Sequence, residues 1–201
     1  MTSTPPSAEK WSDAEEEIMQ ATYQALLSYG YADLSMARIA DELDKSKAAT
    51  YYYYDSKDDL LVALLDYTID RFERSIDTEF GDDPKADLDH LVEKLLPLRE
   101  DEKPHRIFTV LVVLRAQAVS NDAFREQFTR LDEKIAATIR DIIQRGVDDG
   151  VFRDVDTTRV AEHVFATIAG TRYGRATTDR DVVAETRVSL AAYVDSELVR
   201  R

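Results

Sequence analysis

The chain has 201 residues, with 40 Asp and Glu against 26 Lys and Arg, a net charge of −14 and a pI near 4.6. At 44% hydrophobic it can bury a real core, which excludes a disordered chain, and with no cysteine it excludes disulfide frameworks, thiolate metal sites and cysteine nucleophiles. No run approaches the roughly 18 apolar residues of a membrane helix, and the opening Met1-Thr2-Ser3-Thr4-Pro5-Pro6 lacks the apolar core of a secretion signal, so a cytoplasmic protein with no membrane contact is expected.

The six glycines and five prolines fall at boundaries, and no alternating apolar-polar run has turn residues at both ends, so the pattern is all-α. Residues 1–11 read as a flexible arm. Ser12-Asp13-Ala14-Glu15 is a capping box that opens a helix with Ile18, Ala21, Ala25, Leu26 and Tyr29 on its inner face and Gly30 as its C-terminal cap. Ser35 caps a short second helix with Ile39, Ala40 and Leu43 inward. Asp44 and Lys45 form a tight turn, Ser46 caps a third short helix ending near Tyr54, and Ser56 caps a long helix to about Phe80.

Gly81-Asp82-Asp83-Pro84 is the clearest break. Beyond it, five helices are predicted over 85–99, 104–120, 122–148, 157–174 (capped by Asp156) and 179–199. Pro104 stands in a first helical turn, where its missing N–H costs nothing. The total is about nine helices: a helix-turn-helix domain at 12–56 and a larger helical domain at 57–201.

Two short helices joined by a tight turn, after a longer first helix, describe a helix-turn-helix. The run Ile18-Met19-Gln20-Ala21, Leu26, Gly30-Tyr31 and Leu34-Ser35-Met36-Ala37-Arg38-Ile39-Ala40 resembles the N-terminal signature of the TetR/AcrR (tetracycline-repressor-like) transcriptional regulators. So does Ser46-Lys47-Ala48-Ala49-Thr50-Tyr51-Tyr52-Tyr53-Tyr54-Asp55-Ser56-Lys57-Asp58-Asp59-Leu60-Leu61, and Gly150-Val151-Phe152-Arg153 matches a habit of the same family. The resemblance implies a double-stranded DNA operator, a homodimer and a small-molecule effector; no cofactor is expected. Asp44 and Lys45 replace the family's glycine and aliphatic residue at the turn, and Thr50 replaces a leucine.

A recognition helix needs a polar face for base edges and phosphates and an apolar face for its own core. Lys47, Ala48, Ala49, Tyr51, Tyr52 and Tyr53 supply the first, with Tyr54 assigned to the core and Tyr52 fitting either face. The resemblance places Tyr51, Tyr53 and Lys57 on the DNA backbone. Lys57, Ser35 and Ser46 stand at helix starts, where free N–H groups favour phosphate.

The acidity opposes DNA binding at first sight. Residues 1–60 hold five basic and twelve acidic groups, yet the window 45–57 has three lysines and one aspartate, a balance of +2. The chain carries 18 Arg, 8 Lys, 25 Asp and 15 Glu, and the acids are scattered. A dispersed acidic surface with few lysines suits a halophilic protein, in which concentrated salt screens self-repulsion.

In the larger domain Phe165, Ile168, Ala169, Val183, Leu190 and Val194 are candidates for a four-helix dimer interface. Tyr67, Arg71, Phe108, Leu111, Arg115, His163 and Tyr173 are candidates for a site holding an apolar or amphipathic effector. There is no P-loop and no nucleophile elbow. Glu102-Lys103-Pro104-His105 fits a di-iron motif but is interrupted by proline, so no metal site and no enzyme activity are expected. The reading is a ligand-released repressor of a palindromic operator. The alternative is an all-helical ligand-binding or interaction protein that has lost DNA binding.

Overall fold

The structure, a computed structural model, describes residues 10–43, 51–77, 80–98 and 102–200, with the side chains of all but 75–77 and 102–107 among them. Among the described residues the regular structure is helical, with one isolated bridge between Phe152 and Val199. The chain divides into two compact units, Met1–Arg71 and Phe72–Arg201. The expected boundary at 56/57 is the start of a helix, Lys57–Asp77, whose first residues belong to the first unit.

In the first unit α1 spans Asp13–Asp33. The capping box is complete: the Ser12 hydroxyl accepts from the Glu15 N–H and the Glu15 carboxylate accepts from the Ser12 N–H. These bonds hold the Glu15 carboxyl below its usual range. Gly30 has φ +69° inside this span, so helical geometry stops there before one last turn, as a glycine cap requires. α2 spans Met36–Glu42, and α3 is described over residues 51–53. α4 spans Lys57–Asp77, shorter than the expected reach to Phe80. The Ser56 hydroxyl accepts from the Asp59 N–H at its start.

Ile18, Met19, Ala25, Leu26, Ile39, Leu60, Leu61 and Leu65 are buried in this unit. Tyr29, expected inward, is exposed at 40% because Arg38 stacks on its outer side, 4.4 Å from the ring centre. Residues 10 and 11, expected within the arm, are held against α4. Trp11 is buried, donates from Nε1 to Asp70 at 2.9 Å and meets Tyr67 edge-on at 5.5 Å. Lys10 pairs with Asp66 (2.7 Å) and Asp70 (2.8 Å). Residues 10 and 11 thus clamp α4 to α1.

In the second unit α5 (Pro84–Leu95) is capped by Asp83 and stops four residues short of expectation. Pro97 disfavours helix for the residue before it, and Leu96 leaves helical geometry at φ −124°, ψ 64°. α6 spans Glu102–Gln117 with Pro104 in its first turn. α7 spans Asp122–Asp148, as predicted, and buries Phe124, Phe128, Leu131, Ile135, Ile139 and Ile142 along one stripe. α8 (Thr157–Thr177) is capped by Asp156 and runs past Gly174. α9 (Val183–Tyr193) starts four residues later than expected and widens into a π-turn at Val194–Leu198.

Two local devices hold this unit. Asp87, 6% exposed, takes a hydrogen bond from the Gly81 N–H (2.9 Å) and an ion pair from Arg145, whose guanidinium also reaches the Gly81 carbonyl. This pins the Gly81 break to α7. Gly146 lies under the Phe152 ring: a Cβ there would sit 2.1 Å from Phe152 Cδ2. Gly150, at φ +73°, turns the chain back so that Phe152 can seat. The Gly150-Val151-Phe152-Arg153 motif therefore has a packing cause. It also anchors the C-terminal end, through Arg153 N–H to Leu198 O (2.7 Å) and Arg200 N–H to Val151 O (3.0 Å).

Candidate nucleic-acid interface and effector pocket

The first unit presents its polar groups at helix starts. Ser35, exposed and extended (φ −142°, ψ 157°), caps α2 by accepting from the Arg38 N–H at 3.3 Å. Its hydroxyl stands at the exposed start of the helix, where the helix dipole favours phosphate. In α3 the exposures of Tyr51, Tyr52 and Tyr53 are 53%, 82% and 42%. Such large aromatic groups rarely stand in water without a role. Tyr52, which fits either face by sequence, is the most exposed of the three. Tyr54 is half-buried, and its phenol is pushed up to about 12, mainly by burial, then by Glu15 and Tyr53. Ser46, Lys47, Ala48 and Ala49, together with Asp44, Lys45 and Thr50, lie outside the described residues.

Lys57 is half-buried and turned toward its own unit. Its ammonium donates to the Tyr31 carbonyl at 3.1 Å and lies 4.3 Å from the centre of the Tyr31 ring. The Tyr31 hydroxyl in turn donates to Asp58 at 3.1 Å. Lys57 therefore braces the end of α1 against the start of α4, and an ammonium with three donors still has capacity for a second acceptor.

The candidate effector residues do not gather in one place. Tyr67 and Arg71 belong to the first unit, where Tyr67 is buried against Trp11 and its hydroxyl accepts from Arg71 at 2.9 Å. Leu111 is buried. His163 is exposed and stacks on Tyr193 at 5.0 Å, and Tyr173 is exposed at 42%. Arg115 is held by a bidentate pair with Asp132 (2.6 and 2.7 Å) and lies 4.5 Å over Phe128.

Phe108 lines a pocket among the described residues. The other walls are Leu95, Leu96, Pro97, Arg172, Arg175, Ala176 and Val183. The two arginines are absent from the sequence-derived set. A signal for them exists: Ala161, Val164, Ile168, Arg172 and Arg175 recur at three- and four-residue steps, so both arginines continue the buried stripe of α8.

The expected dimer residues also divide. Ile168, Val183, Leu190 and Val194 are each at most 4% exposed within one chain, so they hold α8 and α9 to their own unit. The periodicity is apolar as read, but a second apolar element of the same chain claims that face. Phe165 and Ala169 are half-buried. The outward side carries small and apolar groups: Ala166, Gly170 and Tyr173 on α8, and Ala184, Val188 (71% exposed) and Ala192 on α9.

Among the described residues no helix is long and apolar enough to cross a membrane, and no group of His, Asp and Glu could hold a metal ion.

Comparison with known proteins accounts for this arrangement. Residues 18–64 match the tetR family of bacterial regulatory proteins, and residues 84–199 match the C-terminal domain of BetI-type transcriptional repressors. A TetR transcription regulator from Haloarcula marismortui is 41% identical, with 94% of this chain and 100% of that one covered and a TM-score of 0.87. A transcriptional-regulator structure from Saccharomonospora viridis, in complex with choline, is 26% identical over 95% of this chain and 100% of that one, with a TM-score of 0.82. The HTH-type transcriptional repressor AcnR of Corynebacterium glutamicum is 21% identical over 147 residues, 73% of each chain. With more than half of its length matched by one family domain and a regulator's helix-turn-helix before it, the chain belongs to the TetR family of transcriptional regulators.

Proposed function

We propose that the chain is a ligand-released repressor that binds a palindromic operator as a homodimer in a salt-rich cytoplasm. Segment 12–56 reads the DNA, and the chain from 57 onward holds the effector and the second subunit. The observations that carry the DNA reading are the exposed row Tyr51, Tyr52 and Tyr53 and the exposed, capped helix start at Ser35. Tyrosine hydroxyls reach phosphate oxygens, and the aromatic bodies cover sugar and base edges. Ser46, Lys47, Ala48 and Ala49 complete the recognition segment, with Lys57 as a brace that also meets a phosphate.

The dimer uses the outward side of α8 and α9. Val188 and the small residues Ala166, Gly170 and Ala192 allow two such helix pairs to approach closely, and self-complementary helix pairs of this kind form two-fold interfaces. An effector in the second unit acts through α4, one continuous helix carrying residues of both units. Its leverage is the difference in its affinity for the DNA-bound and released forms. The choline held by the Saccharomonospora viridis protein makes small ammonium compounds one effector class to test. The Haloarcula marismortui relative supports the salt-adapted reading of the acidic surface.

Footprinting on the DNA upstream of the protein's own gene tests the proposal. Paired protections about one helical turn apart are expected, lost together when Tyr51 and Tyr53 are both changed to Phe. Protection that is absent, or unchanged in the double variant, would refute it.

A further inference from the structure

The pocket between α5, α6, α8 and α9 has an electrostatic character that its walls do not satisfy. Arg172 lies deep in the second unit, its guanidinium 3.9 Å over the Phe108 ring, with part of the side chain open to the pocket. Among the described residues it makes no hydrogen bond and no ion pair. Burial and then the neighbouring Arg115 push it down from its ordinary 12.5 to about 10, and Asp132 pulls the other way. Asp132 offers little relief, because both of its carboxylate oxygens are engaged by Arg115.

Arg175, one turn further along α8, has a side chain only 8% exposed. One of its nitrogens donates to the Pro97 carbonyl, and Nε forms an ion pair with Asp181 at 3.6 Å, too long for a hydrogen bond. Its Nε and Nη2 have no hydrogen-bond partner. Buried guanidinium donors without acceptors are expensive, and proteins keep them where a ligand completes the set. The remaining walls, Leu95, Leu96, Pro97, Phe108, Ala176 and Val183, are apolar.

We infer that this pocket binds a small amphipathic carboxylate, its anionic head on Arg172 and Arg175 and its hydrocarbon body against Leu95, Phe108 and Val183. A planar carboxylate matches the guanidinium fork in two parallel hydrogen bonds, and the water-poor setting strengthens both. The enclosed space is about 10 Å³ and opens to solvent, so the anionic head reaches the arginines only as side chains at the mouth give way to the hydrocarbon body. The same two cations reject a quaternary ammonium, whose recognition calls for aromatic faces and negative potential. The inference rests on the effector reading above and narrows it to anions.

The test uses the full chain in about 1 M KCl, where long-range charge effects are screened to about 3 Å. Sodium hexanoate and choline chloride are each titrated by calorimetry against wild type, Arg172→Met and Arg172→Lys. Hexanoate should bind wild type saturably and choline should not. Arg172→Met should weaken hexanoate about tenfold or more, as the loss of a charge-assisted hydrogen bond implies, while Arg172→Lys retains part of the affinity. Arg172→Met should melt no lower than wild type, because an unpartnered cation is replaced by an apolar chain of similar length.

Choline binding with hexanoate silent would overturn the inference, as would hexanoate binding equally well to Arg172→Met. Operator footprinting on the same samples separates the two levels. Protection with no hexanoate effect overturns the anion site and leaves the repressor standing. Hexanoate binding without protection of any DNA overturns the repressor and leaves the site.

Discussion

Gly146→Ala should destabilise the protein by about 2–4 kcal/mol, against what helix propensity alone predicts. In an open helix position the change stabilises by about 1 kcal/mol. Here the added Cβ would lie 2.1, 2.5 and 2.8 Å from Phe152 Cδ2, Cε2 and Cγ. The ring has no room to yield, since Phe152 is fully buried and its N–H donates to the Gly146 carbonyl at 2.8 Å. The chain beyond is tied to Leu198 and Arg200. A 2.1 Å contact with a ring that cannot yield is too close for packing strain to absorb, so the ring must be displaced, at about 3–5 kcal/mol. The gain in propensity offsets about 1 kcal/mol of this. Thermal and urea unfolding at fixed KCl would read the change as a fall of roughly 5–15 °C, at about 2–4 °C per kcal/mol for a chain of this size. Phe152→Leu should relieve part of the clash, so the double variant should cost less than the sum of the singles. A loss below about 0.5 kcal/mol in Gly146→Ala would refute the packing argument, because propensity would then outweigh the contact.

Three further outcomes follow from contacts elsewhere. Arg145→Met removes the cation over buried Asp87 and the donor to the Gly81 carbonyl, and should cost about 3–5 kcal/mol in urea unfolding; an unchanged midpoint would show that the pair is solvated. Tyr54, with its folded-state value raised to about 12 from 10, gives stability that is whole below pH 10 and is lost as pH rises toward about 12. Tyr54→Phe should therefore lose less stability than wild type across that interval, and parallel melting curves would contradict this. Val188→Glu, 71% exposed in one chain, should leave the monomer fold intact by circular dichroism while sedimentation reports dissociation; a persistent dimer would place the interface elsewhere.

Helix starts were legible in the sequence because capping is local chemistry. Ser12, Ser35 and Asp156 cap as read, each bonding an N–H three residues on. α7 was legible because its apolar stripe is long and unbroken. The end of α5 was missed although Pro97 signalled it, since apolar Leu96 and Leu98 extend the periodic pattern past the stop. Periodicity names an apolar face but not its partner, so Ile168 and Leu190 read as intermolecular when their own unit buries them. The pocket was missed for a related reason. Arg172 and Arg175 sit in register with Ile168, but charged residues are ordinarily assigned to water, and only the Phe108 ring and the turn at Pro97 show that they are enclosed. The packing of Tyr67 was hidden because its partner Trp11 lies in a segment that reads as an arm.

The central claim is that an acidic chain binds DNA through hydrogen bonds and shape more than net attraction. The most direct measurement is operator affinity against KCl concentration, by footprinting titration on the DNA upstream of the gene. A protein making six to ten phosphate contacts loses roughly 10³- to 10⁵-fold in affinity between about 50 and 200 mM salt. Here, with a balance of −7 over residues 1–60 and only +2 across 45–57, the expected slope is markedly shallower, with protection persisting in molar KCl. A slope as steep as that of a basic repressor, or no protection at any salt concentration, would contradict it.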